Sequence, residues 1–166
     1  MDFLISHTSK SINADLILPA SKSISNRALI IQALCQSKLT LFNLSQSSDT
    51  KSLVQALQTT SKTIDIGDAG TSMRFLTAYL SQQEGSYILT GSDRMKERPI
   101  GYLVKALNSI GADINYLEKD GFPPLAINGK ALEGGKVDIS TSVSSQFVSA
   151  LLLIAPTLKK GLSLSL

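Results

Sequence analysis

The sequence predicts an α/β (α+β) fold assembled from repeated βαβαββ units, about two and a half of them in 166 residues. Three observations predict it. Three segments look alike: "SISNRALIIQAL" from Ser23, "GTSMRFLTAYL" from Gly70 and "SVSSQFVSALLLIAP" from Ser142. Each carries a small residue, a Ser two places on, then Arg or Gln ahead of an apolar helical stripe, so that Arg27, Arg74 and Gln146 share one register. A second pair, "SLVQAL" ending at Leu57 and "YLVKAL" ending at Leu107, recurs 50 residues apart. Short β runs alternate with these helical stripes. Recurrence inside one chain marks duplicated supersecondary units.

The elements follow in order. The first unit, about 19–63, opens on the β run "DLILPA", and Ser residues suited to an N-cap lead into the first helix. "LTLFNL" reads as its second strand and residues 49–58 as its second helix. "QTTSKTIDIG" then leaves little room for two closing strands, so this unit is a shortened copy. The second unit, about 64–135, runs "TIDIG", a helix from Gly70, "SYILTG", and a helix over 99–110 with Pro99 in its first turn and Gly111 ending it. "ADINYLE" and "PLAING" close it as two strands joined by the turn "KDGFPP". The third unit, 136–166, holds "KVDIS", a helix and "LSLSL", and is expected to be truncated, because a second helix is due after Leu166. Its unpaired edge invites self-pairing.

Bulk composition narrows the function classes. Hydrophobic content of 43% with 17% charged residues fits a globular chain. A net charge of +3 without a basic run argues against nucleic acid or a membrane surface as partner. One cysteine excludes an internal disulfide framework and a multi-cysteine metal site, and Cys35, on a helix pattern, reads as a buried structural thiol. One histidine, His7, excludes a His-rich metal site and argues against a Ser-His-Asp triad. "MDFLISHTSK" does not read as a signal peptide, and "FVSALLLIAP" is too short to span a membrane, so cytoplasm is the expected compartment.

The chemistry lies in the polar segments. All four arginines, Arg27, Arg74, Arg94 and Arg98, fall within them. A helix N-terminus presents unpaired N–H groups and partial positive charge, and arginine offers a planar fork to phosphate or carboxylate. If the units pack about a shared axis, three helix starts face one site: "SKS" with Arg27, "GDAGTSMR" as a tight glycine turn, and Ser144 to Gln146 with two hydroxyls and an amide. Arg74 reads instead as a structural ion-pair partner of Asp49. "RMKERPI" places Arg98 at a further helix start, where a cation opposes the dipole and a bound anion would relieve the conflict.

"LPASKSISNRAL", "GDAGTSMR", "LTGSDRMKERPIGYLVKAL" and "VSSQFVSALLLIAP" resemble, in order, the motifs of the 5-enolpyruvylshikimate-3-phosphate synthase (3-phosphoshikimate 1-carboxyvinyltransferase) family, from about Leu18 to the end. The resemblance implies the enolpyruvyl transferase fold, two domains of three βαβαββ units each. Residues 1–18 would be a strand segment packed on the other domain, and 19–166 an incomplete first domain. It implies transfer of the enolpyruvyl group of phosphoenolpyruvate to the 5-hydroxyl of shikimate 3-phosphate, with release of phosphate and no metal or other cofactor. By resemblance, Lys22 touches both substrates and is the catalytic candidate. Ser23, Arg27, Ser144 and Ser145 would bind shikimate 3-phosphate, Gly70 and Arg98 phosphoenolpyruvate, and Gln146 would reach both. The complete enzyme is expected to be monomeric and cytoplasmic, and this fragment a half-site that self-associates through unpaired edges. Three departures stand out: Ala20 for a usual Gly, Asp68 for a common Asn and Phe75 for a common Pro. The alternatives are the sibling transferase acting on UDP-N-acetylglucosamine, which has Asn after the lysine where this chain has Ser23, and a non-catalytic anion-binding scaffold.

Overall fold

The computed structural model describes Leu4, Thr8 and residues 13–35, 39–139 and 144–165. Helices dominate the first unit. Ser21 caps α1 (Lys22–Leu34) by accepting from the Ile24 N–H, and α1 turns Ser25, Asn26, Leu29 and Ile30 inward at helical spacing. Ser47 caps α2 (Ser48–Gln58) through the Thr50 N–H, and Asp49 in its first turn suits the helix dipole. The two helices are pinned together by a buried bond from the Thr50 hydroxyl to Asn26 Oδ1, 2.8 Å long.

The second unit is complete and has the expected order. β1 (Thr63–Asp65) leads through α3 (Gly70–Leu80) to β2 (Gly85–Thr90). A short α4 (Asp93–Lys96) and then α5 (Gly101–Ser109) lead to β3 (Asp113–Tyr116) and β4 (Leu125–Gly129). The sheet runs β1-β2-β4-β3, with β1 and β2 parallel and β4 antiparallel to both of its neighbours. Ile64 lies opposite Leu89, Leu89 opposite Leu125 and Ile114 opposite Ile127, all buried, so register and burial agree. The sheet meets the turn after α3 closely at Gly129, where an added Cβ would lie 1.7 Å from the Gln83 carbonyl oxygen. In the third unit β5 (Gly135–Asp138) pairs in parallel with β6 (Leu162–Ser165) across α6 (Ser145–Ile154) and a 3-10 turn (Ala155–Thr157).

α3 sits at the centre. It is buried on nearly all sides, packs against α1, α2, α5 and α6, and contributes Met73, Phe75, Leu76, Ala78 and Leu80 to the core. A helix apolar all round belongs in an interior. The three matched helices α1, α3 and α6 pack on one another, as the repeat requires.

Several expectations need correction. The strands expected at "DLILPA" and "LTLFNL" do not form. Leu16, Ile17 and Leu18 are 83%, 99% and 82% exposed, and Phe42 is 85% exposed. Asn43, at φ 55, breaks the second segment's extended path, and Pro19 removes a ladder donor from the first. The helix expected over 99–110 starts at Gly101, capped by Ile100, and a separate four-residue α4 precedes it. Its first N–H groups, of Ile100 and Gly101, donate to the Gly121 carbonyl in the β3–β4 turn. Gly111 does end α5, at φ +102. Cys35 is exposed, because it caps the C-terminus of α1 beyond that helix's buried face. Ser142, where the third motif opens, and His7 lie outside the described residues. The third helix starts at Ser145, so Ser144 is its cap, whereas the register-equivalent Ser25 and Ser72 lie inside their helices.

Candidate functional site

Lys22, Gly70, Arg98 and Gln146 come from four separate stretches of the chain, and the fold brings them to one polar pocket of about 320 Å³. Asp49, Asp68, Thr71 and Arg74 complete its lining. The pocket sits over the start of α3, of which Gly70 and Thr71 are the first two residues. The cap of that helix, Ala69, makes no side-chain hydrogen bond. α1, α2, α4 and α6 are all capped by serines, and α5 by the Gly121 carbonyl. The α3 start therefore keeps its N–H dipoles available for an anion. The turn before it is shaped by Gly67 at φ 56, whose N–H donates to Asp65 Oδ1 at 2.8 Å.

Charges around the pocket are unevenly paired. Lys22 Nζ, on the first residue of α1, lies 3.1 Å from Asp49 Oδ2 in the first turn of α2. Asp49 is thereby committed to Lys22, which corrects the expected Arg74–Asp49 pair. The Ser72 hydroxyl donates to the Asp49 carbonyl at 3.1 Å, tying α2 to α3. Asp68 accepts from the Ser92 hydroxyl at 2.5 Å. Neither Arg74 nor Arg98 has a carboxylate partner among the described residues.

Arg74 is 9% exposed. Its Nη1 donates to the Gly70 carbonyl at 2.9 Å and its Nη2 to the Pro99 carbonyl at 3.3 Å. Burial, and secondarily the nearby Arg98, lowers its pKa below the usual guanidinium value. Arg98 reaches the same place from the other side. A Cβ added at Gly70 would lie 2.6 Å from Arg98 Nη1 and 3.1 Å from Arg74 Nη1. Glycine is needed here so that two guanidinium groups can close on the helix start. The expectation that Arg98 stands at the start of its own following helix is thus revised: it serves the start of α3.

The remaining expected residues lie around this pocket rather than in it. Arg27 Nη2 donates to the Ser149 hydroxyl on α6 at 2.9 Å, its Nη1 to the Ser23 carbonyl at 2.9 Å, and its guanidinium stacks 5.4 Å from the Phe75 ring centre. Ser23 and Ser145 are exposed near the starts of α1 and α6. Ser144 Oγ accepts from the Gln146 N–H at 3.2 Å, and Gln146 Nε2 donates to the Thr71 hydroxyl at 3.3 Å, joining α6 to α3. Sequence reasoning missed Asp49, Asp68, Thr71 and Arg74 as pocket residues. For Arg74 the signal was present, since it shares a register with Arg27 and Gln146.

Repeated βαβ-type units with an uncapped, cation-flanked helix start place the chain among α/β repeat scaffolds whose pocket has the chemistry to suit a small anion. Comparison with known proteins narrows this. The family model for EPSP synthase (3-phosphoshikimate 1-carboxyvinyltransferase) matches residues 6–64 and 58–166. A 3-phosphoshikimate 1-carboxyvinyltransferase of Bacteroides fragilis (strain YCH46) is 52% identical over 166 residues, covering 100% of this chain and 40% of the relative. One from Aliivibrio salmonicida is 43% identical, covering 94% of this chain and 43% of its own length. The solved EPSP synthase of Acinetobacter baumannii superposes with a TM-score of 0.74 at 24% identity, over 86% of this chain and 38% of that one, and so shares the fold. The chain belongs to the EPSP synthase family, and it spans about 40% of the length of the curated relatives it matches.

Proposed function

We propose that this chain supplies one wall of the active site of a 3-phosphoshikimate 1-carboxyvinyltransferase, which moves the enolpyruvyl group of phosphoenolpyruvate onto the 5-hydroxyl of shikimate 3-phosphate and releases phosphate. The observation that carries this reading is the convergence of Lys22, Gly70, Arg98 and Gln146 on the uncapped start of α3.

In this reading phosphoenolpyruvate lies against Gly70, its anionic groups facing Arg98 and the α3 dipole. Shikimate 3-phosphate lies toward Ser144, Ser145 and Ser23, with Arg27 one turn inside α1, and Gln146 reaches between the two. Both substrates are polyanions, so fixed cations and backbone dipoles must offset their repulsion. Lys22 lies between them. A proton delivered from it to the methylene carbon of phosphoenolpyruvate makes a cationic carbon that the 5-hydroxyl attacks. Return of a proton from the methyl group of the resulting adduct, with departure of phosphate, re-forms the double bond and yields the product enol ether. A lysine suits this exchange better than an arginine, which does not give up its proton. Asp49 would hold the ammonium in place until substrates arrive. The base for the 5-hydroxyl and further cations for phosphoenolpyruvate would come from the opposing domain of the complete enzyme, a cytoplasmic step of the shikimate pathway and a target of glyphosate.

The 166 residues alone are therefore expected to bind substrate without turning it over. Joining residues 1–166 to the remaining portion of the Bacteroides fragilis relative tests the assignment. The chimera should release phosphate only when both substrates are present, and Lys22→Ala should abolish that release. Release with phosphoenolpyruvate alone, or an active Lys22→Ala chimera, would refute the reading.

A further inference from the structure

Arg74 is a buried guanidinium with no carboxylate partner among the described residues, and neither substrate role above makes use of it. Its two nitrogens are given to two carbonyls on different segments: Gly70, the first residue of α3, and Pro99, the residue next to Arg98. A lysine would have to serve both from one nitrogen, without the fork that lets two nitrogens each take one carbonyl. The guanidinium is also packed against side chains. The guanidinium lies 5.9 Å from the Phe147 ring centre on α6, and Met95 Sδ is 4.0 Å from Nη1. Arg98, in contrast, is part-exposed and is held near Gly70 in spite of a like charge beside it.

We propose that Arg74 is the positioning residue for Arg98: by clamping the Gly70 and Pro99 carbonyls it fixes the spacing between the α3 start and the Arg98 guanidinium, and so sets affinity for phosphoenolpyruvate. This rests on the substrate assignment given above. The clamp acts on one substrate only, since Arg27 and Ser144 are held by other contacts.

Calorimetry on the 166-residue chain tests it, with phosphoenolpyruvate and shikimate 3-phosphate titrated separately. Arg74→Lys keeps the charge and loses the fork. It should weaken phosphoenolpyruvate about tenfold, as expected for the loss of a charged two-point contact, and leave shikimate 3-phosphate within about twofold. In an Arg98→Ala background the same substitution should cost almost nothing further, because a positioning residue acts through its target. Unchanged phosphoenolpyruvate affinity in Arg74→Lys, equal losses for both ligands, or a full penalty persisting without Arg98 would each overturn the proposal. A wild-type measurement covers a variant that fails to fold. The Arg74 guanidinium N–H resonances should resist exchange with water before ligand is added, while those of Arg98 should shift on adding phosphoenolpyruvate. Arg74 signals exchanging as fast as those of exposed Arg94 would likewise overturn it. A wild-type chain that binds neither ligand would instead refute the substrate assignment.

Discussion

Gly70 and Asp68 show how single residues tune this pocket. At Gly70 a methyl group would meet Arg98 Nη1 at 2.6 Å and Arg74 Nη1 at 3.1 Å, both at the ends of long side chains. Those ends can move, so Gly70→Ala should fold normally while displacing Arg98. In the complete enzyme we expect about a tenfold rise in the phosphoenolpyruvate requirement, read by steady-state kinetics, and a larger loss of inhibition by the bulkier glyphosate. Unchanged glyphosate inhibition would sink the assignment of Gly70. Asp68 places a carboxylate on the rim where the family commonly has Asn. It opposes an incoming anion, so Asp68→Asn should tighten phosphoenolpyruvate binding by about threefold at low salt, with the difference shrinking as ionic strength rises. A salt-independent change would point to an altered Ser92 bond instead, since an Asn oxygen accepts it without the charge. At this scale the sequence was partly legible. Lys22, Gly70, Arg98 and Gln146 were readable because they sit in specific motifs. Asp49 was not, because its contact with Lys22 spans 27 residues and depends on how α1 packs on α2.

Among the elements, the second unit was readable apart from α4 and the start of α5. Its helices and strands carry their own stop signals, such as Gly111 and the "KDGFPP" turn, and each strand has a partner within the unit. The first unit was misread in its strands. "DLILPA" and "LTLFNL" have strand composition, but a strand exists only with an edge to pair on, and composition does not report that. α4 was invisible because four residues carry no periodicity. The β3–β4 hairpin offers a pH test. Asp113 accepts from Asn128 and Asn115, and these bonds hold its carboxyl below the usual value. A group depressed on folding stabilises the native state above its unfolded value, about 3.9, and that contribution fades as pH falls through the folded value. NMR titration should place Asp113 below the usual carboxylate range, and Asn128→Ala should move it back toward that range. An Asp113 titration unchanged by Asn128→Ala would refute the bond's role.

For the whole molecule, the repeat explains why one site forms from distant segments. The matched helices α1 and α6 pack on the third, α3, and Lys22, Gly70 and Gln146 from their first turns line one pocket although they span most of the chain. The helix starts are not equivalent, however. Serine caps occupy those of α1 and α6, and among the described helices only at α3 do an apolar cap, a glycine and two guanidinium groups coincide. In the proposed function, that asymmetry is what would turn a structural repeat into a directional anion site. The central claim is that this chain by itself is a substrate-binding half-site. Calorimetric titration of shikimate 3-phosphate into the 166-residue chain tests it most directly. The account predicts weak, saturable binding with a stoichiometry of about one, lost in Arg27→Ala. A titration that shows no heat with the wild-type chain, or binding indifferent to Arg27, would contradict it.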